Sequence, residues 1–328
     1  MPGSKEDGMT ALEILPLQEG LGFGARVRGV TPGNVADDAI HARLEELFEQ
    51  AGVVVFEDVE PTGAMHVALS TIAGPLKDHL QKSVARVDQD AMPGVIDLIS
   101  SPEEEAVIEI DGKLLATWLP WHFDHCYNNE LNRGGVLRAI VVPPEGGMTG
   151  FADGIGLYQA LSADLRERIE GRNIIYRMNV MMDQLRFGRP EGYKVFGERP
   201  MAYAVMDEMA GKPRAIHPAV WTRKTGEKVL HVSPWMAEGI EGAEDDEGNA
   251  LLDAVSREIF AKAKGHSYFH RWTTTDMVLW DNWRLLHAVS GHPREHRRRM
   301  QRTTIKGDYG LGRFEGGAAG SPILEMTF

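Results

Sequence analysis

Val136-Leu137-Arg138-Ala139-Ile140-Val141-Val142 reads as a β-strand, and Pro143-Pro144-Glu145-Gly146-Gly147 after it reads as the turn that closes it. Outward from this stretch the same grammar repeats. Residues 53–56 form an unbroken apolar run upstream, and 173–178, 215–221, 228–232, 274–280 and 302–306 are short strand-like runs downstream. The glycine-spaced block 12–30 reads as a hairpin; it has none of the strand, G-x-G-x-x-G and helix order of a dinucleotide site. Helical spacing appears at 37–50, 64–73, 156–169 and 251–264. Many short strands with a few helices predict a mainly β fold, a sandwich or barrel with helical additions.

No composition break or repeat divides the chain, so 11–328 is expected to be a single domain behind a disordered polar tail at 1–10. The polar, irregular segment 77–117 is expected to be a lid. The formal net charge is -13, from 35 Lys and Arg against 48 Asp and Glu, which disfavours nucleic acid and anionic membranes as partners. Cys126 is the sole cysteine, and the opening residues carry no secretory leader, which together predict a cytoplasmic protein.

Trp121-His122-Phe123-Asp124-His125 contains His-x-Asp. On a strand, residues i and i+2 share a face, so His122 and Asp124 can serve one metal. The tripeptide is common by chance among 12 histidines; a second histidine, His287, after the apolar run Met277-Val278-Leu279-Trp280, gives it weight. Two His and one carboxylate leave open positions, as non-haem iron oxygenases require, whereas a structural zinc site wants a fourth protein ligand. Downstream, Arg298, Met300 and Arg302 fall on one face of an apparent strand, and two guanidinium groups beside a metal suit a dicarboxylate. The bland reading of this basic run is a solvated surface.

Taken in order, Trp-His-x-Asp at 121–124, Pro-Pro-x-Gly-Gly-x-Thr at 143–149, Trp-Asp-Asn-x-x-x-x-His at 280–287 and Arg-x-x-x-Arg-x-Thr-x-x-Gly-Asp at 298–308 resemble the taurine dioxygenase (TauD/TfdA) family. The resemblance spans 12–308. It implies a double-stranded β-helix (jelly roll), and an Fe(II)- and 2-oxoglutarate-dependent dioxygenase that uses O2 to hydroxylate a small organic anion. It implies that His122, Asp124 and His287 bind iron, and that Thr149 and Arg298 hold the far carboxylate of 2-oxoglutarate. Arg302 falls where the family holds either the co-substrate or the anionic head of the prime substrate, His79 falls at a substrate-contacting position, and the family's habit implies a homo-oligomer.

The sequence also departs from the family. Trp118 stands where the taurine enzyme has an asparagine, and Lys82 replaces a substrate-binding tyrosine, so both are candidate substrate residues for an altered pocket. Met148 and Gln301 replace a usual Asp and a frequent His without adjoining the expected ligands. Because Asp124 keeps the carboxylate that related halogenases lack, hydroxylation or desaturation is expected rather than halogenation. His125 is expected to point away from the metal face, with His217 and Cys126 structural. A zinc-dependent hydrolase on the same triad and a non-catalytic β-sandwich binding protein remain the alternatives.

Overall fold

The computed structural model describes residues 12–79, 82–88, 92 and 94–317. The expected tail at 1–10 lies outside the described residues, as do positions 80, 81, 89–91 and 93 of the expected lid.

The chain is mainly β with helices on the outside. A seven-stranded sheet runs in the order Glu13–Pro16, Ala25–Arg28, Val53–Phe56, Met277–Asp281, Gly134–Val141, Arg298–Thr303 and Val95–Ser100. A four-stranded sheet runs Ser267–His270, Thr149–Asp153, Leu285–Val289, Leu119–His122. Pairing is antiparallel in both, except where Ala25–Arg28 meets Val53–Phe56.

The apolar patterns follow from burial on two faces. Val53, Val55, Leu137, Val278, Trp280 and Met300 of the larger sheet meet Phe151 and Leu285 of the smaller one in a shared core. Val54, Phe56, Val136 and Leu279 point the other way, onto the helices Asp38–Ala51 and Gly63–Ser70. Alternate residues therefore serve two cores, which is why Val53–Phe56 is apolar throughout. The first helix begins where Asp37 accepts the N–H groups of Ala39 and Ile40, and stops at Gly52 in a positive-φ conformation. Its Ile40, Leu44 and Phe48 sit at i, i+4, i+8 and are buried. On the far side, Leu252, Val255 and Ile259 of the helix Asp246–His266 cover Ala152, Leu286 and Ala288 of the smaller sheet.

Three expectations are corrected. The segment 77–117 is not irregular: it contains Val95–Ser100, an edge strand of the larger sheet, and the hairpin Val107–Ile110/Lys113–Ala116. Asp111 and Gly112 turn that hairpin with positive φ at both positions, a tight turn matched to strand twist. The helix expected at 156–169 is two, Gly154–Ala160 and Ala163–Ile169, because Leu161 goes extended and buries its side chain. The strand at 215–221 is broken after Pro218 into Ala215–Pro218 and Val220–Thr222, which join different sheets. The helix Pro200–Glu208 had no sequence expectation.

Candidate active site

Two neighbouring strands and one turn deliver the metal-ligand candidates. His122 ends the strand Leu119–His122, and its register partner across the ladder is His287, with ring centroids 4.0 Å apart. Asp124 lies beyond the strand end, so strand alternation is not what aims it. Asn282 does that, accepting the Asp124 N–H at 2.8 Å and donating to the Asp124 carbonyl at 3.0 Å. One ligand atom from each of His122, Asp124 and His287 lies within 4.8 Å of the others, and His287 Nε2 is 3.7 Å from Asp124 Oδ1.

His122 Nδ1 donates to the Pro120 carbonyl at 2.8 Å, which leaves Nε2 as the lone-pair nitrogen a metal needs. Burial lowers the basicity of both imidazoles, and for His287 the neighbouring His122 lowers it further. For Asp124 burial opposes ionisation, but Arg302, His287 and His122 outweigh it and hold the carboxyl well below its ordinary range. Two neutral imidazoles and an ionised carboxylate converge, and the donor set fits a divalent transition metal with positions to spare.

The triad opens on a cavity of about 250 Å³ that is also lined by Thr149, Arg298, Arg302, Trp118 and His79. Arg298 is buried; its Nε donates to the Gly147 carbonyl at 3.1 Å and its Nη2 faces Thr149 Oγ1 at 3.4 Å, while Trp272 Nε1 donates to the same hydroxyl. Burial pulls the Arg298 guanidinium down to about 10, with Glu105 opposing, and no carboxylate among the described residues pairs with it. A buried cation without a partner is expensive, and an anion that reaches it from the cavity would complete it. The cavity therefore fits a dicarboxylate co-substrate beside a metal.

Arg302 reaches the same cavity, but its Nη1 donates to Asp124 Oδ2 at 2.5 Å, so the guanidinium is partly engaged. Lys82 is not brought to the site. Its side chain is exposed and off the cavity wall, and its backbone N–H is held by Glu208 at 2.8 Å. Gln301 is on the opposite face of its strand, accepting from Arg138 Nε at 2.9 Å. His217 is buried with Nε2 on the Asn128 carbonyl at 2.7 Å, and Cys126 is a buried thiol whose deprotonation burial opposes.

His125 corrects its expectation. The strand stops at His122, and at a positive φ of 62° His125 turns back into the cavity, where it is buried. Sequence reasoning also missed Trp235, whose ring stands 4.9 Å from that of His122, and Met201, Ala202 and Val205 of the helix Pro200–Glu208. A positive-φ turn leaves little signal when its residue is not glycine, whereas the helix was signalled by Pro200 at its first position and by apolar residues at 202 and 205.

Comparison with known proteins agrees with this geometry. The family model described as "Taurine catabolism dioxygenase TauD, TfdA family" matches residues 13–304. The (S)-phenoxypropionate/alpha-ketoglutarate-dioxygenase of Sphingobium herbicidovorans is 30% identical over 305 residues, covering 91% of this chain and 96% of its own. The alpha-ketoglutarate-dependent 2,4-dichlorophenoxyacetate dioxygenase of Cupriavidus pinatubonensis is 28% identical, covering 81% and 88%. In fold, the chain is similar to a solved putative alpha-ketoglutarate-dependent taurine dioxygenase from Burkholderia xenovorans, with a TM-score of 0.66 at 22% identity over 96% of this chain and 98% of that one. With the family model covering most of its length and its facing sheets carrying a buried His–Asp–His group beside a lone guanidinium, the chain belongs to the TauD/TfdA family of dioxygenases.

Proposed function

We propose that this Fe(II)- and 2-oxoglutarate-dependent dioxygenase holds its iron through His122, Asp124 and His287, and acts on a small organic anion with an aromatic or apolar body. The observation that carries the reading is the convergence, in one cavity, of the triad with the buried, unpaired Arg298 and its neighbour Thr149. When bound, iron with 2-oxoglutarate and O2 supplies the oxidation of a substrate C–H bond and releases succinate and CO2.

The chain's own residues bind, orient and exclude water. Arg298 and Thr149 grip the far carboxylate of 2-oxoglutarate, because a guanidinium fork matches a carboxylate and a buried site strengthens the contact. Asn282 fixes the turn that aims Asp124, and Pro120 fixes the tautomer of His122. Trp118, Trp235, Met178 and Phe123 supply an apolar wall that keeps the site dry and suits an aryl group. Arg302 and His79 lie at the substrate end.

We read the two facing sheets as a double-stranded β-helix, 11–328 as one catalytic domain, and the 77–117 segment with its hairpin as the cover of the cavity. A homo-oligomer is the expected assembly. Among the described residues no helix is long and apolar enough to cross a membrane; with a single cysteine, the protein is read as cytoplasmic. The acidic net charge supports a small-molecule partner rather than nucleic acid.

Relatives named for phenoxypropionate and 2,4-dichlorophenoxyacetate make aryloxyalkanoic acids the first substrates to try. Succinate release from aerobic enzyme with Fe(II) and 2-oxoglutarate should rise on adding (S)-2-phenoxypropionate, and more than on adding taurine. A larger response to taurine would reject the aryl substrate class.

A further inference from the structure

His125 is costly to the folded protein in two ways. Its backbone occupies the left-handed region at φ 62°, which non-glycine residues seldom adopt. Its ring is buried, 3% exposed for the residue, with no hydrogen-bond partner at either Nδ1 or Nε2. Three other buried imidazoles each keep one bonded nitrogen, although their Nδ1 atoms are also without partners: His217 Nε2 meets the Asn128 carbonyl, His231 Nε2 the Asn282 carbonyl and His66 Nε2 the Val136 carbonyl. The His125 ring instead borders the cavity, 5.4 Å from the ring of His79 and 5.8 Å from that of Tyr127.

A second unpartnered donor borders the same space. Arg302 has given Nη1 to Asp124, and its Nε is buried without a partner. Lys82 is outside the cavity and Arg199 is paired with Glu105 at 3.1 Å, so neither supplies a spare charge. The polar end of a substrate therefore meets one partly engaged guanidinium and, beside His79, one ring with no hydrogen-bond partner. Unsatisfied buried polar groups that persist at a strained position are accounted for when a ligand completes them.

We propose that the His125 side chain is a specificity-determining substrate contact: one ring N–H donates to an oxygen of the substrate's carboxylate, alongside Arg302. This rests on the reading of the cavity as a dioxygenase site, and adds to it a residue outside the metal and 2-oxoglutarate sets. The contact is a hydrogen bond from a ring nitrogen that has no partner among the described residues of the chain. It favours a carboxylate or similar oxygen acceptor, and it explains how an anion is held although Arg302 leans on Asp124.

The test compares His125→Phe, which keeps the ring area without nitrogens, and His125→Asn, which keeps a short N–H donor and tolerates the left-handed backbone. With (S)-2-phenoxypropionate as probe, His125→Phe should raise its KM at least tenfold while the 2-oxoglutarate KM stays within twofold. His125→Asn should recover a good part of that loss. Anaerobic Fe(II) with 2-oxoglutarate should give the same visible absorption band in both variants and the wild type, and His125→Phe should melt no lower than the wild type. An unchanged KM for the probe in His125→Phe would overturn the proposal, as would a lower melting temperature with equal KM shifts for probe and 2-oxoglutarate. A wild type that shows the band yet releases no probe-dependent succinate would reject the carboxylate contact and leave the dioxygenase reading standing. Absence of the band in the wild type would reject that reading first.

Discussion

Asp124 shows how much of the site rests on single contacts. It lies past the end of its strand, and its backbone is held on both sides by the Asn282 amide. Asn282→Ala should therefore weaken Fe(II) binding by roughly 10- to 100-fold while leaving the ligands themselves intact, the usual scale for losing a residue that orients a metal ligand. Titration with Fe(II) under nitrogen measures this, and unchanged affinity would mean the turn holds itself. His122 and the arginine at 298 were legible in the sequence because each sits on a strand that has a fixed side-chain period, and His287 because it follows the apolar run 277–280. Asp124 was legible by motif, though its geometry was not, since the strand is shorter than the motif. His125 was misread for the same reason, and Lys82 because a family position does not specify where an altered segment points.

At the scale of elements, the strands were readable because two cores drive the pattern. Val53–Phe56 is apolar on both faces, and Met277–Asp281 and Gly134–Val141 beside it are nearly so. What the pattern hid was the covering layer. The strands Val95–Ser100 and Val107–Ile110 are short and partly exposed, each with one acidic residue, Asp97 and Glu109, and lie in a polar stretch, so they looked like a loop. The centre of the larger sheet depends on small residues where the chain crowds: a Cβ on Gly134 would stand 2.2 Å from the Trp280 carbonyl oxygen, and one on Gly135 2.6 Å from that of Thr303. Gly134→Ala should destabilise the protein by about 2 kcal/mol through overpacking against neighbouring backbone. A denaturation midpoint that does not move would show that the sheet opens more easily than its packing indicates.

For the whole molecule, buried neutral histidines tie stability to pH. His66 and His217 are pushed down to about 4 and His231 to about 3 from an ordinary 6.5, in each case by burial first, with a backbone carbonyl opposing. Each folded-state value lies below the unfolded one. The unfolded chain therefore binds more protons between the two, and stability that is complete above pH 6.5 falls as pH drops toward 4. The slope is about 1.4 kcal/mol per histidine per pH unit in that window. Urea midpoints should be flat from pH 8 to 7 and fall steeply from pH 6 to 5; His66→Gln, which keeps a donor for the Val136 carbonyl, should soften the fall. A midpoint that holds to pH 5 would contradict the buried neutral state of these rings.

The central claim is that His122, Asp124 and His287 bind iron beside a 2-oxoglutarate held by Arg298. Anaerobic addition of Fe(II) and 2-oxoglutarate tests it directly, read by the weak visible metal-to-ligand charge-transfer band. The account predicts a band that needs both components, disappears in His122→Ala, and requires far more 2-oxoglutarate in Arg298→Ala. A folded protein that gives no band, or a band indifferent to His122, would contradict it and turn attention to a hydrolytic metal centre or a binding protein.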